Sequence, residues 1–218
     1  MQHEITTAGP LLDGSGNLRE PGYAKRLLPI YRRADIKAPA SRIKEWDYYL
    51  IANDHFAVAL TIDDNGYMGL DSISFLHFDQ RWERTKSPMR AFPMGRTGLP
   101  ESSASGTTAT SGRGYALVFR HVPQGRELTF RMENFLNGQT IDGSVTLTEE
   151  PEESMVICTP FPKHSMLPRT VISIPGSRAS AASAAGESHA ASVSGLCAVP
   201  AACTQTSPSG TRRLTDFS

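Results

Sequence analysis

Large and small residues alternate from Phe56 onward: Phe56, Val58, Leu60 and Ile62 are separated by Ala57, Ala59 and Thr61. A period of two predicts a strand with one bulky, core-seeking face. The DDNG that follows sets Asn65-Gly66 where a tight hairpin needs positive φ. Tyr67 to Phe78 therefore reads as the returning strand, with Ile73 and Phe75 on one side and Leu76 and Phe78 on the other. Tyr115 to Val122 predicts another strand, turned by PQGRE. Beyond it Leu128, Phe130 and Met132 alternate with Glu127, Thr129, Arg131 and Glu133, giving one face to the core and one to water. Asn137-Gly138 turns the chain again, into a strand where Ile141, Val145 and Leu147 alternate with polar residues. A last apolar run covers Met155 to Cys158. From Asp47 this makes about seven short strands joined by hairpin turns, and no stretch repeats its apolar residues with a helical period. The expected class is all-β, an antiparallel meander forming a sandwich or a lipocalin-like barrel.

The alternation fails in three places. Residues 1–40 mix Gly, Pro and charge, with prolines too closely spaced for a long helix, and read as an extended arm packing on the sheet. Residues 41–163 hold the β domain, but from Asp79 to Arg113 its pattern stops. There KSPMRAFPMGRTGLP carries apolar groups able to pack, while SSASGTTATSGRG reads as a flexible loop. After about Arg169, Ala and Ser dominate without period. Residues 164–218 are therefore expected to form a disordered, non-globular tail, unable to bury enough apolar surface to offset ordering. The same mixture of Ala, Ser, Gly, Pro, Arg and stray Cys is what a GC-rich gene encodes when read out of frame, which would leave the β domain incomplete.

Charge narrows the partners. Lys plus Arg and Asp plus Glu number 22 each, a formal net charge of zero, so there is no cation excess to release counterions from a phosphate backbone. Nucleic acid is not an expected partner. No run approaches the ~18 apolar residues of a membrane span, and the N-terminus lacks a basic stretch followed by an apolar one. The three cysteines, Cys158, Cys197 and Cys203, make neither a disulfide framework nor a zinc pattern. A soluble, cytoplasmic protein without cofactor is the expectation.

Candidate chemistry concentrates in RIKEWDYY, residues 42–49. In an extended chain Lys44, Trp46 and Tyr48 point to one side, and Glu45, Asp47 and Tyr49 to the other. Two carboxylates about 7 Å apart on one face have a separation that inverting glycosidases use, although those enzymes bring them from opposite sides of a substrate. The plainer alternative is a strand whose Trp46 enters the core while Arg42, Lys44 and Glu45 form surface ion pairs worth about 0–1 kcal/mol each. Asp63, Asp64 and Asn65 offer oxygen ligands, but without calcium-loop spacing the hairpin explains them. His55 and His77 flank that hairpin without metal-ligand spacing. Cys158, in an apolar run, is expected to be inert through burial. GRTG and SGRG are isolated glycine pairs, and there is no phosphate loop, dinucleotide fingerprint or nucleophile elbow.

Several separate segments carry a resemblance. EITTAGPLLDGSGNLREPGYAKRLLPIYRR, IKAPASRIKEWDYYLI, DNGYMG, FPMGRTGLP and ESMVICTPFPK, over about residues 3–163, resemble in the same order the family known as domain of unknown function 2804. The resemblance implies a β-rich protein and assigns no activity. Members of that family continue after the TPFPK segment with a tyrosine-rich strand and a Trp-Gly-Arg-Gly-Val-Trp-like motif, where this chain has HSMLPRTVISIPG and the Ala/Ser tail. More loosely, the strand pattern is similar to the paired lipocalin-like folds of carotenoid hydratases, which enclose an apolar cavity.

Three alternatives follow for function. The first is a hydrophobic small-molecule ligand in a lipocalin-like cavity, with Trp46, Tyr48, Phe56, Ile73 and Phe75 as wall and Arg42, Glu45, Asp47 and Asp64 as polar groups. The second is a carbohydrate-binding or scaffold module using exposed Tyr48, Tyr49 and Tyr67; a truncated copy without function is the third alternative. Independent sequencing downstream of the codon for Lys163 is expected to reveal a frame that restores the family's aromatic continuation, and one uninterrupted frame in a second clone would refute the frameshift.

Overall fold

The structure, a computed structural model, describes residues 3–102, 105–148, 155–159, 169–173, 178–182, 192–194 and 203–204. The arm carries β1 (Gly9–Pro10), β2 (Gly22–Ala24) and β3 (Pro29–Ile30), then single 3-10 turns at Arg33–Asp35 and Ala40–Arg42. The first sheet follows as a meander of β4 (Ile43–Ala52), β5 (Phe56–Asp64), β6 (Met68–His77) and β7 (Trp82–Lys86). A short β8 (Met89–Ala91) returns to pair with β6. The second sheet is the meander β9 (Thr107–Gly112), β10 (Tyr115–Val122), β11 (Gly125–Leu136) and β12 (Gln139–Thr148). Then β13 (Met155–Thr159) pairs with β2 of the arm.

In the tail, β14 (Arg169–Ser173) pairs with β13, and β15 (Arg178–Ala182) extends the second sheet beyond β12. Two further pieces, β16 (Ser192–Ser194) and β17 (Cys203–Thr204), pair with β15 and β4. The remainder of the tail expected to be disordered lies outside the described residues, as does the segment around Lys163. Among the described residues no helix is long and apolar enough to cross a membrane.

The pairing of the long strands is antiparallel throughout, and among the described residues no sheet closes on itself. Of the two architectures expected, the sandwich is therefore the one observed, and the lipocalin-like barrel is corrected. A barrel needs edge-to-edge hydrogen bonds; here the edges β7 and β9 have no such pairing among the described residues. The strands of the two sheets cross steeply. β9 sets Thr108 on Asp47 of β4 and Thr110 on Asp71 of β6. β11 runs from Tyr49 of β4, bonded by Arg126, to β7, where Arg84 and Lys86 donate to the carbonyls of Phe135 and Glu133. β9 and β11 thus each span several first-sheet strands, as in the orthogonal form of sheet packing.

Between the sheets lies the main core: Tyr49, Ile51, Leu60, Ile62 and Ile73 face Leu117, Phe119, Leu128, Phe130, Met132 and Leu147. The predicted faces of β5 and β11 supply it. A smaller core joins the arm to β13 through Ile5, Leu11, Leu12, Ala24, Val156 and Cys158.

The expected long loop from Asp79 to Arg113 is corrected, since it contains β7, β8 and β9. In TTATSG the alternation is carried by Thr108 and Thr110, both buried, rather than by apolar residues. Their partners are carboxylates, so a hydrophobic pattern is absent where a strand is nonetheless buried.

A carboxylate seam as candidate functional site

β4 alternates without exception, with Ile43, Glu45, Asp47, Tyr49 and Ile51 buried and the residues between them half-buried. The expectation that Trp46 enters the core is therefore corrected. Ile43, Tyr49 and Ile51 share the parity of the two acids, and their combined burial outweighs one indole. Trp46 and Tyr48 lie on the outer face, and Tyr49, expected as an exposed ring, is 1 % exposed. The polar candidates are thus split: Glu45, Asp47 and Asp64 face inward, and Arg42 ends the 3-10 turn ahead of β4.

A carboxylate turned into a sandwich must find donors, and the second sheet supplies them. Asp71 on β6 is fully buried and accepts from Arg90 Nε at 2.7 Å and Nη2 at 3.0 Å, Thr110 Oγ1 at 2.8 Å and the Tyr115 hydroxyl at 2.9 Å. Asp47 accepts from Thr108 Oγ1 at 2.5 Å. Beside it Arg126, 3 % exposed, donates Nη1 to the Tyr49 hydroxyl at 2.6 Å, with its guanidinium carbon 5.6 Å from the ring centroid. Sequence reasoning missed Asp71, Arg90, Thr108, Thr110, Tyr115 and Arg126. The available signal was an Asp and an Arg at core parity on otherwise apolar strands.

The seam continues through the hairpin tip. Asp64, fully buried, accepts from its own turn (Gly66 N, 3.0 Å) and from a distant loop (Gly95 N at 2.8 Å, Thr97 Oγ1 at 2.9 Å). Thr97 Oγ1 in turn accepts from Arg90 Nη1 at 3.0 Å, linking Asp64 to Asp71. GRTG, uninformative as a motif, is the segment that caps Asp64. Glycine suits the position because its φ is +85°, a conformation L side chains rarely adopt, and its bare Cα lets the Arg33 guanidinium pack against it. That loop also holds Phe92 at φ 50° and Met94 at φ 54°, left-handed conformations that cost such residues about 1 kcal/mol or more. Arg33 and Tyr31 of the arm both donate to Glu45, which ties the arm to β4.

Burial sets the electrostatics. It pushes the Asp47 carboxyl above its usual range, opposed by Thr108 and the charge of Arg126. It also raises Tyr31 and, aided by the bond to Asp71, Tyr115. Asp63, on the outer face opposite Trp46, is pushed up to about 6 by burial, with the charge of Asp71 adding and Leu70 N–H, Asn65 and Arg90 opposing. Elsewhere His55 bonds exposed Asp79 at 2.9 Å. Cys158 is buried, and its thiol is pushed up to about 11 by that burial and the charge of Glu20. It borders a cavity of about 80 Å³ in the arm's core, with Arg19 and Glu20.

Chemically, these carboxylates act as braces: each inward acid already accepts from groups of another element. The class defined is a cross-braced, orthogonal β-sandwich. The chain belongs to the family described as Domain of unknown function (DUF2804), whose sequence model matches residues 2–169. No curated protein and no solved structure matches it.

Removing the Asp64 side chain (Asp64→Ala) orphans several buried donors and is expected to lower stability by about 3 kcal/mol. Urea denaturation measures this, and faster proteolysis within residues 92–98 should accompany it. Asp63 gives a pH signature. Because its folded pKa, about 6, lies above its ordinary value of 3.8, its contribution is full below that value and is lost as pH rises through 6. Asp63→Asn should therefore gain on the parent between pH 4 and 6 and hold a constant advantage above, read as the difference in melting temperature.

Proposed function

We propose that the protein is a cytoplasmic binding module that takes up a hydrophobic small molecule at one end of its sandwich. One observation supports this reading: the core is sealed by the carboxylate seam at the β5–β6 hairpin end and left half-covered at the other. There Phe56 and Phe75 stack at 5.6 Å, Phe75 and Trp82 at 5.4 Å, and all three rings are half-buried. Leu136, Ile141 and Val145 of the second sheet are also only partly buried against this core. Polar groups sit at the rim, with His77 5.7 Å from Trp82 and Gln80 accepting from the indole N–H at 2.9 Å. An apolar surface with a few convergent polar groups is what small-molecule sites share. Of the expected wall residues, Phe56, Ile73 and Phe75 belong to this inner face. Glu45, Asp47 and Asp64 serve it by holding the closed end. A carbohydrate-binding role is the second reading, favoured by the outward placement of Trp46 and Tyr48 and by Tyr67, 51 % exposed.

The chain has two tryptophans, Trp46 and Trp82, so Trp46→Phe leaves a single reporter at the apolar end. Titration of that variant with fatty acids and isoprenoid alcohols should give a saturable change in Trp82 emission, abolished by Ile141→Glu. Silence across the panel from a protein with a cooperative melt refutes the reading.

A further inference from the structure

We infer that the outer face of the first sheet is a glycan-binding site, with Trp46 and Tyr48 as ring platforms and Asp63, Thr61 and Ser72 as its hydrogen-bonding groups. This deepens the carbohydrate reading and is independent of the apolar end. The register lays the groups out as a grid. Trp46 stands opposite Asp63, Tyr48 opposite Thr61, and Thr61 in turn opposite Ser72. Residues two apart on a strand are about 7 Å apart on the same face, comparable with successive rings of an oligosaccharide. Directly paired side chains across strands are about 5 Å apart. Beyond the platforms the face continues with Leu50 opposite Ala59, which is buried, and with Ser74 opposite Ala59 on the next strand. Ser74 accepts from Thr85 Oγ1 at 2.8 Å at its far side. Trp46, Tyr48, Thr61, Asp63 and Ser72 are all half-buried and so partly open to solvent.

The chemistry selects the ligand. An ionised carboxylate only accepts hydrogen bonds and has about four lone-pair sites. Asp63 accepts from Leu70 N at 2.7 Å and Asn65 Nδ2 at 2.5 Å, which leaves capacity for a ligand. A purely apolar ligand would cover Asp63 and two hydroxyls without satisfying them. An anion would meet a carboxylate. A neutral polyhydroxylated ring presents C–H faces to Trp46 and Tyr48 and O–H donors to Asp63, so each side of the contact is matched.

The test uses the full chain and soluble gluco-, manno- and xylo-oligosaccharides, followed by calorimetry and by ring-proton shifts in NMR. Saturable binding to at least one series is expected, weakened about tenfold or more by Trp46→Ala and by the Thr61→Val/Ser72→Ala pair, and unchanged by Ile141→Glu. Binding that survives both outer-face changes overturns the inference, as does absence of binding to every series by protein that melts cooperatively. The lipid titration reads the other end, so either site can fail while the other stands.

Discussion

The structure depends on one buried anion. Asp71 sits at full burial between two sheets, and a lone carboxylate there would be prohibitively costly. It persists because groups from three other elements converge on it: Arg90 of β8, Thr110 of β9 and Tyr115 of β10. That requirement brings β8 back against β6 and fixes where β9 crosses the first sheet. The neighbouring pairs, Thr108 on Asp47 and Arg126 on Tyr49, repeat the arrangement over β4. Shape alone lets two twisted sheets slide over one another, whereas directed bonds at these points specify one crossing.

From Asp71 the network is continuous. Arg90 joins it to Thr97, Thr97 to Asp64, and the Gly95 turn beside Asp64 packs on the Arg33 that holds Glu45. The strained Phe92 and Met94 backbone is sustained by this anchoring, with Phe92 N bonded to the Tyr67 carbonyl at 3.0 Å and Met94 N to that of Gly66 at 2.9 Å. One end of the sandwich is therefore polar, closed and rigid. At the opposite end Phe56, Phe75 and Trp82 stack, and Arg84 and Lys86 of β7 tie the sheets together through the Phe135 and Glu133 carbonyls rather than through a buried carboxylate.

Period-two alternation made β5, β10, β11 and β12 legible, because there the inward side chains other than Asp64, Tyr115 and Arg126 are mostly hydrocarbon. The same test failed on TTATSG, where inward threonines answer carboxylates, and on GRTG, where the Gly95 N–H and the Thr97 hydroxyl bind Asp64. It also mis-set β4. Read by residue type, RIKEWDYY sends its indole inward; the Ile43 and Tyr49 within it and Ile51 just beyond send the acids inward instead.

Alternation, turn residues and glycine positions determined by themselves that this chain is an all-β meander, since those features act between neighbours along the strand and need no knowledge of what lies opposite. Which face of β4 is buried, and which acids become braces, was decided only by the tertiary structure. A carboxylate can be buried only where distant residues donate to it, and the pairing of Asp71 with Arg90, Thr110 and Tyr115 exists only once the two sheets have met.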